Sequence, residues 1–316
     1  MNKPFDVLHI GFPKTASTYL QTVVFPEHPE ISFSWREHKH VFFDLRDYGF
    51  GFDKSAFIAR LNDTTHDSTN EDCKVRMFSA EALSGDAYSG LGGRMIIDLL
   101  ADLLPDAKVM VMIREQRSYV ASVWNAYVME GGTLGIKGFL TQHASPAISF
   151  NIPRGIDQRE CYANIYEKLR YDRFVRYGRE IFGENRFGVF FFEDLRRDPE
   201  IFFNNVFSFI GVDPGHRPRV AASNVSFVDP WRTIFQVFCR FCQTQHNESG
   251  ILPYRIYHQA RLLTQGLSYR FPIMKRTSTR AVERHLPEWA RVQWRESNRQ
   301  LAKMTGRDVG ELGYDV

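Results

Sequence analysis

Cysteine is scarce: four residues in 316 cannot build a disulfide framework for a chain of this size. Charge of one sign is not in excess. Forty Lys and Arg stand against 37 Asp and Glu, a formal net charge of +3, so no global field gathers nucleic acid. No run approaches the ~20 consecutive apolar residues of a membrane span. Met1 to His9 lacks the charged-then-apolar pattern of a secretory leader. Internal repeats and low-complexity stretches are missing too. These absences predict a globular protein of a reducing, cytoplasmic compartment.

What is present is bulk. Hydrophobic residues make up 43% of the chain and aromatics 14%, with 27 Phe, enough for a large core without staples. Phe5 to Ile10, Ile31 to Ser34, Lys74 to Phe78, Ala107 to Ile113 and Arg186 to Phe192 read as strands. The fourth is a near-continuous Val, Met and Ile run, as in a strand buried on both faces of a parallel sheet. Helical patterns fall at Ala16 to Val24 (closing near Pro26), Lys54 to Leu61, Met95 to Leu104, Arg117 to Met129 and Pro199 to Ile210. Strands alternating with helices predict an α/β three-layer sandwich with a mainly parallel central sheet. Beyond about residue 225 helical periodicity takes over. The expectation is one domain, with an α/β core over 1–225 and a helical subdomain or lid over 226–316 packed on it.

Cys239 and Cys242 form a C-x-x-C followed by His246. A zinc site needs a fourth ligand, usually from a second close pair. The apolar helix pattern Ile234 to Phe241 favours two core-facing thiols instead.

The sharpest local signal is Gly11-Phe12-Pro13-Lys14-Thr15-Ala16-Ser17-Thr18-Tyr19-Leu20-Gln21, directly after the first strand. A strand, a tight loop and a helix start make an anion site. The first helical N–H groups have no intrahelical partner, and the helix dipole favours negative charge there. Lys14 adds a full charge; Thr15, Ser17 and Thr18 add hydroxyls. A Walker A loop ending at Lys14-Thr15 would need Gly at positions 8 and 13, which hold Leu8 and Pro13. A nucleotide phosphotransferase would also want an acid for magnesium at the end of a strand such as Val109 to Ile113. That strand ends in Arg114, whose planar fork suits a second anionic group. Ser122 lies eight residues on.

Together these residues resemble the PAPS-dependent sulfotransferases, in particular bacterial, carbohydrate-sulfotransferase-like members. The P-K-T-x-S-T-x-L-Q loop is similar to that family's 5′-phosphosulfate motif, covering Pro13, Lys14, Thr15, Ala16, Ser17 and Thr18. Arg114 to Ser122 is similar to its 3′-phosphate motif, although Arg114-Glu115-Gln116 stands where the family often has Arg-Asn-Pro. Phe191-Phe192-Glu193-Asp194-Leu195 resembles its aromatic-Glu-Asp-Leu segment. Ser297 to Leu301 with Asp308 to Tyr314 resembles the close of many bacterial members. The resemblance implies transfer of a sulfuryl group from 3′-phosphoadenosine-5′-phosphosulfate (PAPS) to an acceptor, leaving PAP. It implies that Lys14 stabilises the leaving phosphate and that no metal is required.

A hydroxyl acceptor needs a general base. Arg36 to Asp44 resembles the Lys-Glu-x-His-Phe-Phe-Asp stretch of glycan sulfotransferases, whose glutamate is the base. The register is ambiguous, so the candidates rank Glu37, His40, then Glu81 in Ser79-Ala80-Glu81. The implied acceptor is a glycan or glycolipid. A small phenol, alcohol or amine is the alternative, and a PAP-binding regulatory protein without turnover is the alternative of another class. Residues 229–280 hold eight basic side chains and two acidic ones, interleaved with aromatics. That composition suits an anionic glycan or peripheral contact with an acidic membrane.

Overall fold

The computed structural model describes residues 5–33, 51–65, 73–142, 164–219, 227–228, 230–271 and 277–316. Glu37 and His40 lie outside the described residues. Five strands form one parallel sheet: β1 (Val7–His9), β2 (Ile31–Phe33), β3 (Val75–Ser79), β4 (Lys108–Ile113) and β5 (Phe187–Phe191), in the order β2-β3-β1-β4-β5. Each predicted strand is present, with its ends moved by no more than two residues; β3 starts and ends one residue later than expected. Strand β1 is the shortened one of consequence, because its pairing continues past its end: Ile10 N–H donates to Met110 (3.0 Å) and Phe12 N–H to Met112 (2.7 Å).

The pleat sorts the side chains. Val7, Met77, Met110 and Met112 face one layer, packed with Leu20, Val24 and Phe25 and with Phe203, Val206 and Phe207 of the helix Pro199–Ile210. On the opposite face, Phe187 meets Phe174 and Phe182 of the helix Tyr171–Phe182, with ring centroids 6.1 and 6.4 Å apart. The helix Gly93–Leu103 buries Ile96, Ile97 and Leu100. Helices on both faces of a parallel sheet are the three-layer α/β sandwich expected.

The first helix closes near Pro26, at Glu27, but it is not a regular α-helix throughout. Ser17–Tyr19, a π-helical stretch Leu20–Val24 and Phe25–Glu27 run on continuously. In the widened turn Phe25 N–H bonds back to Leu20. The missing N–H of Pro26 then falls in the first turn of Phe25–Glu27, where none is needed.

The chain divides into two compact units. Met1–Glu115, Tyr166–Ala222 and Gln293–Val316 form the sheet-bearing unit; Gln116–Ile165 and Ser223–Val292 form the second. Among its described residues the second unit is helical, with Gln116–Met129, Ile136–Gln142, Trp231–Cys239, Tyr254–Arg270 and Thr277–His285. Arg232 is buried there, its guanidinium 4.3 Å from the Trp124 ring and bonded to Asn125 Oδ1 at 3.0 Å. Tyr257 donates its hydroxyl proton to Met129 O (2.7 Å). Cys239 and Cys242 are both buried, and burial pushes the Cys239 thiol up to about 12, as for core thiols. No helix among the described residues is long and apolar enough to cross a membrane.

Candidate functional site

In a parallel sheet of this order the connection after β1 runs to one side, toward β2, and that after β4 to the other, toward β5; ligands gather outside the carboxyl ends at that switch point. There the structure brings together residues from the ends of β1, β3, β4 and β5. After β1 comes Gly11, at φ +90°. A Cβ on Gly11 would stand 2.7 Å from Glu81 Cα and 2.8 Å from Glu81 O, so only glycine permits this crossing. Lys14 and Ala16 also sit at positive φ, +64° and +66°. Side chains adopt that region at a cost of about 1 kcal/mol or more each, and such strain concentrates at functional loops. Left-handed residues within a turn direct successive N–H groups to one side, which makes an anion nest.

The side chains divide by role. Lys14 and Thr18 are exposed. Thr15 is fully buried and donates to Phe12 O, closing the loop from inside. Ser17, also buried, donates to Glu81 Oε2, which joins the helix start to the 3₁₀ turn Glu81–Ser84 after β3. Gln21 donates to Ser79 Oγ (2.9 Å), and His9 Nδ1 lies 2.6 Å from the same oxygen. Desolvation lowers the His9 ring to about 3, so it is neutral.

Arg114 leaves β4 and donates through Nη1 to Lys14 O (2.9 Å), with its guanidinium carbon 4.5 Å from the Phe192 ring. Burial pulls its pKa down from the ordinary value; the Glu193 carboxylate opposes that. Tyr171 donates to Arg114 O (2.7 Å). The arginine expected to grip a phosphate therefore also supports the back of the loop. Ser122 lies half-buried in the helix Gln116–Met129 of the second unit.

Two residues here are not marked as contributors by the sequence. Glu193 accepts Glu115 N–H at 3.0 Å and Tyr314 O–H at 3.3 Å, fixing the end of β4. Burial raises its carboxyl above the usual range. Its only signal in the sequence is the Phe-Glu-Asp-Leu stretch. Lys168 has none. It is buried under the loop, donating to Asp86 O (2.7 Å), with Nζ 5.0 Å from the Phe12 ring centroid. Burial pulls its ammonium down to about 7, although Asp86 and Glu81 supply opposing negative charge. Among the described residues no cluster of three or more His, Cys, Asp and Glu is placed to hold a metal.

No family model matches the chain, and no curated protein matches it. Solved sulfotransferase structures are similar in shape. One from Alicyclobacillus acidocaldarius is 17% identical at a TM-score of 0.48, with 74% of this chain and 90% of that chain covered. A mouse sulfotransferase complexed with PAP is 12% identical at 0.43, covering 99% and 89%. One from Mycobacterium avium is 9% identical at 0.45, covering 98% and 78%. With TM-scores below 0.5, these likenesses carry none of the functional reading, which stands on the site itself.

Proposed function

We propose that the protein transfers a sulfuryl group from PAPS to a hydroxyl. The observation that carries this is the loop Gly11 to Ser17: a strained nest at the switch point, an exposed Lys14, and an arginine rather than an acid at the end of the neighbouring strand. Such a cradle suits a dianionic leaving group handled by cations alone. Loop N–H groups with Ser17 and Thr18 hold the 5′-phosphate, and Arg114 and Ser122 hold the 3′-phosphate. Lys14 stabilises the charge that grows on the bridging oxygen. The acceptor oxygen bonds to sulfur as the bond from sulfur to the bridging oxygen breaks. That bond's electron pair stays with the 5′-phosphate, and the acceptor's proton passes to the base.

Glu81 is the base candidate within the described residues, half-buried and joined to Ser17 beside Gly11. Glu37 and His40 keep their place as rivals on the resemblance of Arg36 to Asp44. The same resemblance supports a glycan or glycolipid acceptor.

Calorimetric titration with PAP, beside ATP with magnesium, tests the reading on wild type and Lys14→Ala. PAP binds at micromolar affinity or better, magnesium-ATP binds far more weakly, and the variant loses at least ~10-fold in PAP affinity. Binding of magnesium-ATP in place of PAP refutes the reading. Labelled PAPS with a panel of glycans, glycolipids and phenols then separates the acceptor classes.

A further inference from the structure

We propose that the second unit docks on anionic lipid bilayers through the helix Tyr254–Arg270 and the turn that precedes it. Besides Tyr257, the helix buries small polar side chains rather than Leu262 and Leu263. Its buried positions include Thr264 and Ser268, while Leu262 and Leu263 face outward, Leu263 at 65% exposure. At 100° per residue the exposed Tyr254, Arg255, Leu262, Leu263, Tyr269 and Arg270 fall within one half of the circumference. The helix carries three arginines and no carboxylate.

The preceding turn enlarges the apolar area. Leu252 N–H donates to Phe241 O and Gln243 N–H to Leu252 O, each at 2.8 Å. This pairing fixes the exposed Phe241 beside Ile251, the most exposed large apolar side chain among the described residues at 80%. Arg240 is exposed next to them.

The chemistry of the face selects its occupant. Leu262, Leu263 and Ile251 suit the acyl boundary. Tyrosines such as the exposed Tyr254 and Tyr269 prefer headgroup depth, with an apolar ring and a polar tip. Arginines bury their stems while their guanidinium groups remain among lipid phosphates. A helix without a carboxylate loses nothing to repulsion from an anionic surface. In the preceding turn one exposed carboxylate, Glu248, is outnumbered by Arg240, Arg255, Arg261 and Arg270, so the face keeps a net positive charge around its exposed aliphatics, which complements an anionic bilayer. The proposal is independent of the sulfuryl-transfer reading.

Co-sedimentation with extruded vesicles tests it, comparing phosphatidylcholine alone with phosphatidylcholine containing about 30 mol% phosphatidylserine. The wild type partitions at least ~10-fold more strongly to the phosphatidylserine vesicles, and salt weakens it. Two double variants, Leu262→Ser with Leu263→Ser and Arg255→Gln with Arg270→Gln, each lose about 10-fold. Both keep the wild-type circular dichroism and melting temperature, because these side chains are exposed. Equal binding to both vesicle types, or doubles that bind as wild type, overturns the proposal. So does a wild-type dimer, measured by light scattering, that the leucine double turns into a monomer, since the face then belongs to a second copy of the chain.

Discussion

Replacing Lys168 by Met removes a buried ammonium from beneath the anion loop while keeping its apolar stem against Gly90. Burial pulls the folded pKa from 10.5 to about 7. In the unfolded chain the group keeps its ordinary value. Between these values the unfolded state binds the proton and the native state does not, so stability rises with pH across that window. The full cost, about 5 kcal/mol, is present below pH 7 and is relieved toward pH 10.5. From about pH 7 to about pH 9 the wild type gains ~2 kcal/mol from this group alone. Lys168→Met has no such term. Urea denaturation of both proteins across the window gives the difference in unfolding free energy at each pH. Taking the difference cancels the other groups that titrate there, including Cys239 with its raised pKa. The variant is the more stable partner near neutrality, and its advantage shrinks by ~2 kcal/mol as pH rises, on top of a constant loss from the Asp86 hydrogen bond. A difference constant to within ~0.5 kcal/mol would show that Asp86 and Glu81 keep the ammonium charged and would refute the reasoning.

Gly11→Ala places a Cβ against the Glu81 backbone at positive φ. It costs about 2–4 kcal/mol in chemical denaturation and lowers PAP affinity together with stability. Glu81→Gln keeps the contact with Ser17 but not the basicity. If Glu81 takes the acceptor's proton, kcat falls ~100-fold or more with PAP affinity nearly unchanged, and an unchanged kcat returns that role to Glu37 or His40. His9, held neutral with a pKa of about 3, costs stability as pH falls through 6.5, because the unfolded ring protonates first. His9→Gln removes up to ~1.4 kcal/mol per pH unit of that acid sensitivity, read as a shallower fall in melting temperature between about pH 6 and pH 4.

Strands such as Val109 to Ile113 are legible because a strand buried on both faces must be apolar throughout. The loop is legible because a lysine and three hydroxyls between a strand and a helix have few other uses. Pro26 marks the helix end to within a residue, but nothing local announces the π turn before it, whose bond is donated by Phe25 N–H to Leu20 O. The role of Lys168, and of Glu193 within its Phe-Glu-Asp-Leu stretch, is illegible for a different reason. Each acts through partners far away in sequence, Lys168 through Asp86 and Phe12, and Glu193 through Glu115 and Tyr314. Local pattern carries no trace of such pairings. For Ser17 the sequence suggests a phosphate ligand; here its one hydroxyl proton goes to Glu81, tying the loop to the end of β3, so donating it to a phosphate means exchanging that bond.

The π-helical stretch Leu20–Val24 amounts to one residue inserted into the first helix, so the turns on either side of it are out of phase by about 100°. Gln21 reaches Ser79 and Tyr19 reaches Arg219 O, while Val24 and Phe25 bury completely. A regular α-helix could satisfy the core end or the loop end, but not both. Deleting one residue here would leave Phe25 seated and swing Ser17 and Lys14 around the helix axis. The direction in which the cradle opens is thus set by an irregular turn inside the layer as well as by the strand beneath it.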